Sequence, residues 1–575
     1  MSENLLAMRD LLAKRLDRRT LVGGPAAGAL AIAAWPRELG AAPVRQGDGS
    51  SIVIGTLGES TTQNPFAANE SESNWRAEMI FDQFVRLDYA TAGAAPGLAA
   101  SWEIDGLTFT FAIQPNARFH DGSNVTADDV KFTIEGILTP ATASENANRF
   151  AAIYGVPEFQ GTGTTTVASP AASTPIAAGT PTLGTPNAAF IGSPTGVSGI
   201  EVVDPKTLRI TLARPDASFL YNLHYVYVVP KVRLEGQPLD RTSTAPFFTA
   251  PVGAGPYVFQ SWNVGSDFVA TANPDYWDTG KPTIGTFTHR AITDATTIAN
   301  ALQSGEIDGS LYAAPTLTEQ LEGAGNLTIE VPAFSAPNGT VFNCRVAPFD
   351  NVEVRRAFAM AVNVNAYVQD SLLGLGQAGL GPVAPDLWAY TPDLTPIPYD
   401  PEAARAVFEA NNMIDQTYEI LTNAGNVLRE DWCIRVQADL QELGVNITFT
   451  PIEYTTVVDR ITTGDFQLDG GDFAGATLDP NDLFDQFHST GASNYTGYST
   501  PELDSLLEQG RTTLDQEASK PIWAEVQRIL MQDVPMHWAW YRPFISVVEN
   551  TYTSYTVALG DGGLFRSLPD MTTTA

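Results

Sequence analysis

The chain has 575 residues, 44% of them hydrophobic and 10% aromatic, and a formal net charge of −33 at neutral pH. That length exceeds what one hydrophobic core organises, so two or three domains are expected, with the composition of a folded globular protein. The charge argues against a nucleic-acid partner, since the net field repels phosphates; its plain consequence is solubility, and attraction of cationic ligands is the sharper alternative.

At the N-terminus, residues 16–35 read LDRRTLVGGPAAGALAIAAW. Arg18 and Arg19 precede a weakly apolar run rich in Gly and Ala, and Gly40, Ala41 and Ala42 are the small residues a signal peptidase requires. Residues 1–42 therefore resemble an export signal of the twin-arginine type. Asp17 before the arginine pair and the lack of a lysine after Leu21-Val22 depart from that pattern, and a short amphipathic helix is the other reading. The run is too short and glycine-rich for a membrane span. An exported protein is expected, periplasmic or associated with the cell surface. The two cysteines, Cys344 and Cys433, sit in no CxxC motif. Two free thiols are the simplest reading, and an oxidising compartment would permit one bridge between them.

Further along, SIVIGTL (51–57) reads as a short apolar strand, and GLTFTFAIQ alternates Leu107, Phe109, Phe111 and Ile113 with polar or small residues, as a half-buried strand does. Thr126 followed by Asp129 opens a helix, and KTLRITL (206–212) is a second alternating strand. Residues 161–194 are almost wholly Thr, Ala, Ser, Pro and Gly. Such a segment cannot offset its ordering entropy by burial and reads as a disordered surface insertion. Later helices carry clear punctuation: Asp294 to Gly305, Asp400-Pro401, and Thr500-Pro501. A stripe of Trp432, Val436, Leu440 and Leu443 ends at Gly444 before the strand VNITF. Helices and strands interleave, which makes the class α/β or α+β with more than one domain.

The chain lacks a GxSxG elbow, an HExxH pair and a phosphate-binding loop. His120, His224, His289, His488 and His537 show no metal-ligand spacing, and Asp479-Pro480-Asn481-Asp482 lacks the glycine of a calcium loop. No catalytic residue, metal or cofactor is expected.

Four blocks occur in order: AASWEIDGLTFTFAIQPNARFHDG (99–122), PVGAGPYVF (251–259) with ANPDYW (272–277), FNCRVAPFDNVEVRRAFAMAVN (342–363), and NYTGYSTPELDSLL (494–507) leading to DVPMHWAW. Together they resemble the peptide/nickel family of solute-binding proteins that serve ABC importers, over nearly the whole chain after the leader. The resemblance implies a two-lobed, periplasmic-binding-protein-like α/β fold with an inserted third domain and a hinge. It places lobe I on 51–75, 201–337 and 538–575, the inserted domain on 76–200, and lobe II on 338–537. The crossings would fall near Pro337 and Trp538.

By the same resemblance, ligand sits between the lobes, and membrane permease subunits of an importer receive it from a receptor expected to be monomeric. In the stretch GGDFAGATLDPNDLF (470–484), a register on Asp479-Pro480 puts Phe473 at the family's aromatic position. That register also puts Ala476 where a peptide receptor carries its ammonium-binding aspartate, leaving Asp472 as the nearby carboxylate, while two inserted residues would restore the pattern. Asp479 and Asp482 read as structural. Asn64, Asn494 and Tyr495 complete the candidate ligand contacts. An oligopeptide receptor is the leading expectation. A receptor for oligosaccharide or another organic solute is the alternative, and an extracellular carboxylate-dependent hydrolase is the reading from a different class.

Overall fold

The structure, a computed structural model, describes residues 50–68, 71–88, 93–162, 196–240, 242–311, 313–331, 337–385, 387–471, 479–491, 493–556 and 563–574. The leader at 1–42 and nearly all of the low-complexity segment lie outside the described residues.

Two mixed sheets organise the chain. The first has seven strands in the order Leu327–Glu330, Ser546–Glu549, Gly309–Ser310, Ser51–Thr56, Thr286–Ala291, Asp267–Ala272 and Tyr257–Trp262. The second has six, in the order Gln377–Ala378, Met536–Tyr541, Pro337–Phe342, Leu468–Asp469, Thr417–Leu421 and Asn446–Thr448. A separate antiparallel sheet of four, Ala99–Asp105, Thr108–Ile113, Thr207–Thr211 and Ile200–Asp204, forms the insertion. This is the two-lobed α/β fold with a third element that the four blocks imply.

Local sequence explains the elements. Phe109, Phe111 and Ile113 are each at most 3% exposed, so the alternation read from sequence is the buried face of the inserted sheet. Helix Ala127–Leu138 starts where the Asp129 carboxylate accepts from both the Thr126 N–H and its hydroxyl. Helices Ala295–Ser304, Pro401–Ala410 and Pro501–Thr512 are capped by Asp294, Asp400 and Thr500, each accepting a backbone N–H from the first turn. Gly305 ends the first of these with φ +70°, a left-handed conformation that glycine adopts without strain.

Two boundaries differ from expectation. The inserted sheet is completed by Ile200–Asp204 and Thr207–Thr211, so the insertion runs past residue 200. Met536–Tyr541 pairs with Pro337–Phe342 in the second sheet, which places the second crossing after Tyr541 and not at Trp538. All six residues of that strand are buried, so no alternation marks the sheet it joins.

The PVGAGPY block is a packing device. Gly255 N–H donates to the Ile80 carbonyl at 2.9 Å, and a Cβ at Gly253 would stand 1.9 Å from that same oxygen. Backbone cannot yield as a flexible side chain can. Gly253→Ala is expected to cost about 1–3 kcal/mol or more, read as a lowered urea midpoint with an unchanged slope.

Candidate functional site: the cleft between the lobes

Strand directions decide which edges of the two sheets face each other. Strand Leu327–Glu330 runs beside Ser546–Glu549 in the first sheet, with Glu330 opposite Ser546. In the second, Pro337 stands opposite Tyr541. The chain therefore leaves one sheet and enters the other at neighbouring strand ends both times, an arrangement suited to hinge closure. Ser51–Thr56 is parallel to Gly309–Ser310, which is antiparallel to Ser546–Glu549. The carboxyl ends of the parallel strands in the first sheet thus lie at the edge where the crossings enter. In the second sheet, Leu468–Asp469 is antiparallel to Pro337–Phe342 and parallel to Thr417–Leu421, so its carboxyl ends also point to the crossings. In each sheet the carboxyl edge thus lies on the side of the crossings, and carboxyl edges are where open α/β sheets bind ligands.

On the second lobe, that edge carries Thr422 and Asn423 after one strand and Gly470 and Gly471 after the other. Helix Val427–Glu442 begins there, capped by Asn426, whose side chain accepts from Arg429 N–H. Arg429 is 8% exposed, and its guanidinium donates to Asn423 Oδ1 at 2.9 Å. Gly470 lies against Cys433, whose thiol burial pushes well above its ordinary range, with the Asp469 carboxylate acting the same way. Cys344 and Cys433 are both free. Asn423 and Arg429 gave no sequence signal beyond a polar loop before a helix cap.

Three of the candidate contacts, Asp472, Phe473 and Ala476, lie outside the described residues. Asn64 is 3% exposed, its amide donating to the carbonyls of Leu239 and Asp240 and accepting from Phe66 N–H. Its side chain braces the loop after the first strand. Asn494 similarly donates to His488 O and Tyr498 O and accepts from Thr496 and Gly497, closing its own turn. The side-chain polar atoms of both asparagines thus bond within the protein, Asn64 to backbone and Asn494 to backbone and the Thr496 hydroxyl. Tyr495 packs on the second lobe's core, and its carbonyl accepts from Arg345 at 2.6 Å.

The lobes also touch directly. Leu87 and Tyr221 pack into the second lobe's core with Leu483, Phe484 and Phe487. Ala217 N–H donates to Arg511 O at 2.8 Å, and Ser218 Oγ donates to Asp479 Oδ1 at 3.0 Å. Asp479, read from sequence as structural, meets a partner 261 residues away. Burial, and then the Asp482 carboxylate beside it, push the Asp479 carboxyl up to about 7.

Among the described residues no group of three or more His, Cys, Asp or Glu side chains is placed to hold a metal ion. No described helix is long and apolar enough to cross a membrane.

This two-lobed architecture, hinged on paired crossings, is that of a solute-binding protein. The model of the bacterial extracellular solute-binding proteins, family 5, middle region, matches residues 93–495, more than half of the chain, and the chain belongs to that family. Di/tripeptide-binding protein 1 of Pseudomonas aeruginosa is 24% identical over 90% of this chain and 95% of its own length. Heme-binding protein A of Haemophilus influenzae is also 24% identical, over 80% of this chain and 81% of its own length. Among solved structures, the oligopeptide-binding protein AppA of Bacillus subtilis, in complex with a nonapeptide, has a TM-score of 0.74 at 22% identity, covering 92% of this chain and 99% of that one.

Proposed function

We propose that the protein is an exported receptor that captures oligopeptides in the interlobe cleft and hands them to the membrane permease of an ABC importer. The observation that carries this reading is the opposition of two strand-end edges across a double crossing in a member of this family, with likeness to a di/tripeptide-binding protein along nearly its full length. A peptide enclosed between lobes loses water from its backbone groups, and each must find a partner there. Extended pairing with lobe backbone supplies such partners without reading side chains. Lobe closure reshapes the outer surface, and that change informs the permease that the receptor is loaded.

Mass spectrometry of whatever co-purifies with the native protein tests the ligand class, followed by thermal-shift screening with defined di- to nonapeptides. Stabilisation by several peptides is expected; stabilisation by glycans and by no peptide would overturn the proposal. Asp472 is the remaining carboxylate near the position of the missing aspartate. If it holds the peptide ammonium, Asp472→Asn weakens binding by about 1.5–3 kcal/mol by calorimetry, and an N-acetylated peptide loses the same increment.

A further inference from the structure

The direct contact between lobes has a chemistry of its own, separate from the ligand's. We propose that Asp479 and Ser218 form a latch across the lobes that fastens the closed conformation when the Asp479 carboxyl carries a proton.

The groups around this carboxyl come from both lobes. On its own side stand Asp482 and Asp485, in helix Asp482–Phe487, and Arg511, whose guanidinium lies 4.0 Å from the centre of the Phe484 ring. From the other side come Asp216, 3% exposed, with Ser218, Tyr221 and Arg214. Arg149 lies over the Tyr225 ring at 4.2 Å and acts on Asp482 and Asp485, while Arg511 and Arg214 act on Asp216. His224, between Tyr221 and Tyr225, is pushed down to about 3 by burial and stays neutral through the range that matters.

The cations are thus directed at the neighbouring aspartates, and Asp479 is left with hydroxyl and amide donors. Its Oδ1 accepts from Ser218 Oγ at 3.0 Å and from Asn481 N–H at 2.8 Å. Burial and Asp482 outweigh those two bonds, which is why the carboxyl is pushed up to about 7 with the lobes together. Asp216 is raised as well, with burial the largest cause and Arg511 and Arg214 opposing it. A proton on Asp479 removes the repulsion between carboxylates brought together at the contact and leaves both bonds to Oδ1 in place.

The sign follows from linkage. With the lobes apart, Asp479 faces water and ionises near the ordinary carboxylate value of about 4. The closed form therefore binds a proton more tightly than the open one. Closure is most favoured below about pH 4 and weakens by up to about tenfold per pH unit until about pH 7, beyond which it is constant.

Although the latch rests on the receptor reading for its purpose, its test needs no ligand, so the two can fail separately. Small-angle X-ray scattering of the ligand-free mature protein from pH 5 to 8.5 should show the radius of gyration rising with pH, with most of the change below about pH 7. Asp479→Asn keeps an acceptor for Ser218 and presents an amide to Asp482, so it should stay compact across the range. Ser218→Ala should be more open than wild type at pH 5, with circular dichroism confirming that each variant is folded. A radius independent of pH in the wild type, or the same pH dependence in Asp479→Asn, would overturn the latch.

Discussion

Replacing Arg355 by alanine is expected to lower global stability by on the order of 3–5 kcal/mol, a large share of the 5–15 kcal/mol typical of a native protein. Arg355 lies in helix Val352–Ala361 and is 3% exposed. Its Nε donates to Asp533 O and Val534 O at 3.0 Å, Nη2 to Asp533 O at 2.6 Å, and Nη1 to Phe349 O at 2.8 Å and Asp350 O at 3.2 Å. One planar cation therefore serves four carbonyls from two separated turns, which a lysine ammonium cannot span. Without it the Phe349 and Val534 carbonyls lose a donor inside the protein, where water does not replace it, while those of Asp350 and Asp533 lie nearer solvent. Val534, with φ +47°, forms the turn into Met536–Tyr541, the strand that leads to the second crossing. The loss should therefore be felt at the hinge. Urea unfolding should show a lowered midpoint for Arg355→Ala, with Arg355→Lys recovering only part. Hydrogen exchange over 533–541 should speed up before the rest of the second lobe. An unchanged midpoint would mean that these carbonyls find other donors.

How far such roles are legible in sequence depends on the range of the interaction. Caps and turns are local, so Asp294, Asp400 and Thr500 announced their helices, and the alternation of Phe109, Phe111 and Ile113 announced a strand with one buried face. The four ordered blocks announced the lobes and the insertion. What stayed hidden was set by contacts between distant segments. Met536–Tyr541 is buried on both faces, so its membership of the second sheet could not be read from periodicity. Asn64 and Asn494 have the polar, turn-prone character of ligand contacts, and the same character lets Asn494 close its own turn and Asn64 join its loop to the carbonyl of Leu239. Asp479 reads from sequence as structural, and Asn481 N–H, two residues on, is one of its partners. Its other partner, Ser218, belongs to a different part of the chain, and only the fold brings the two together. Asn423 and Arg429 became visible once strand direction showed which edge of the second sheet faces the crossings.

The same logic of one buried group serving several distant ones applies to Asp82, the second site where a large effect is expected. Its side chain is 2% exposed and accepts from four donors: Gln83 N–H at 2.8 Å, the Arg86 guanidinium at 2.9 Å, Tyr276 Oη at 2.9 Å and Trp277 Nε1 at 2.7 Å. Tyr276 and Trp277 belong to the ANPDYW block, so this carboxylate ties that block to the end of helix Ser71–Phe81. Asp82 has φ +63°, a left-handed conformation that asparagine also tolerates. Asp82→Asn therefore keeps shape and backbone and changes only the chemistry. An amide offers one acceptor oxygen, while its NH2 would face N–H groups that cannot accept from it, the Tyr276 hydroxyl being the one neighbour able to turn and do so. Tyr276 and Trp277 both donate to Oδ2 while Gln83 N–H and Arg86 donate to Oδ1, so whichever way the amide turns at least one buried donor loses its acceptor, and Arg86 loses its counter-charge. The expected cost is about 2–4 kcal/mol, seen as a lower urea midpoint, with a red shift in tryptophan fluorescence if Trp277 becomes wetter. Asp82→Ala should be worse, since alanine also meets the left-handed backbone and leaves every donor unpaired. If Asp82→Asn matched wild type while Asp82→Ala did not, the role of Asp82 would be one of backbone geometry and volume, and its charge would be dispensable.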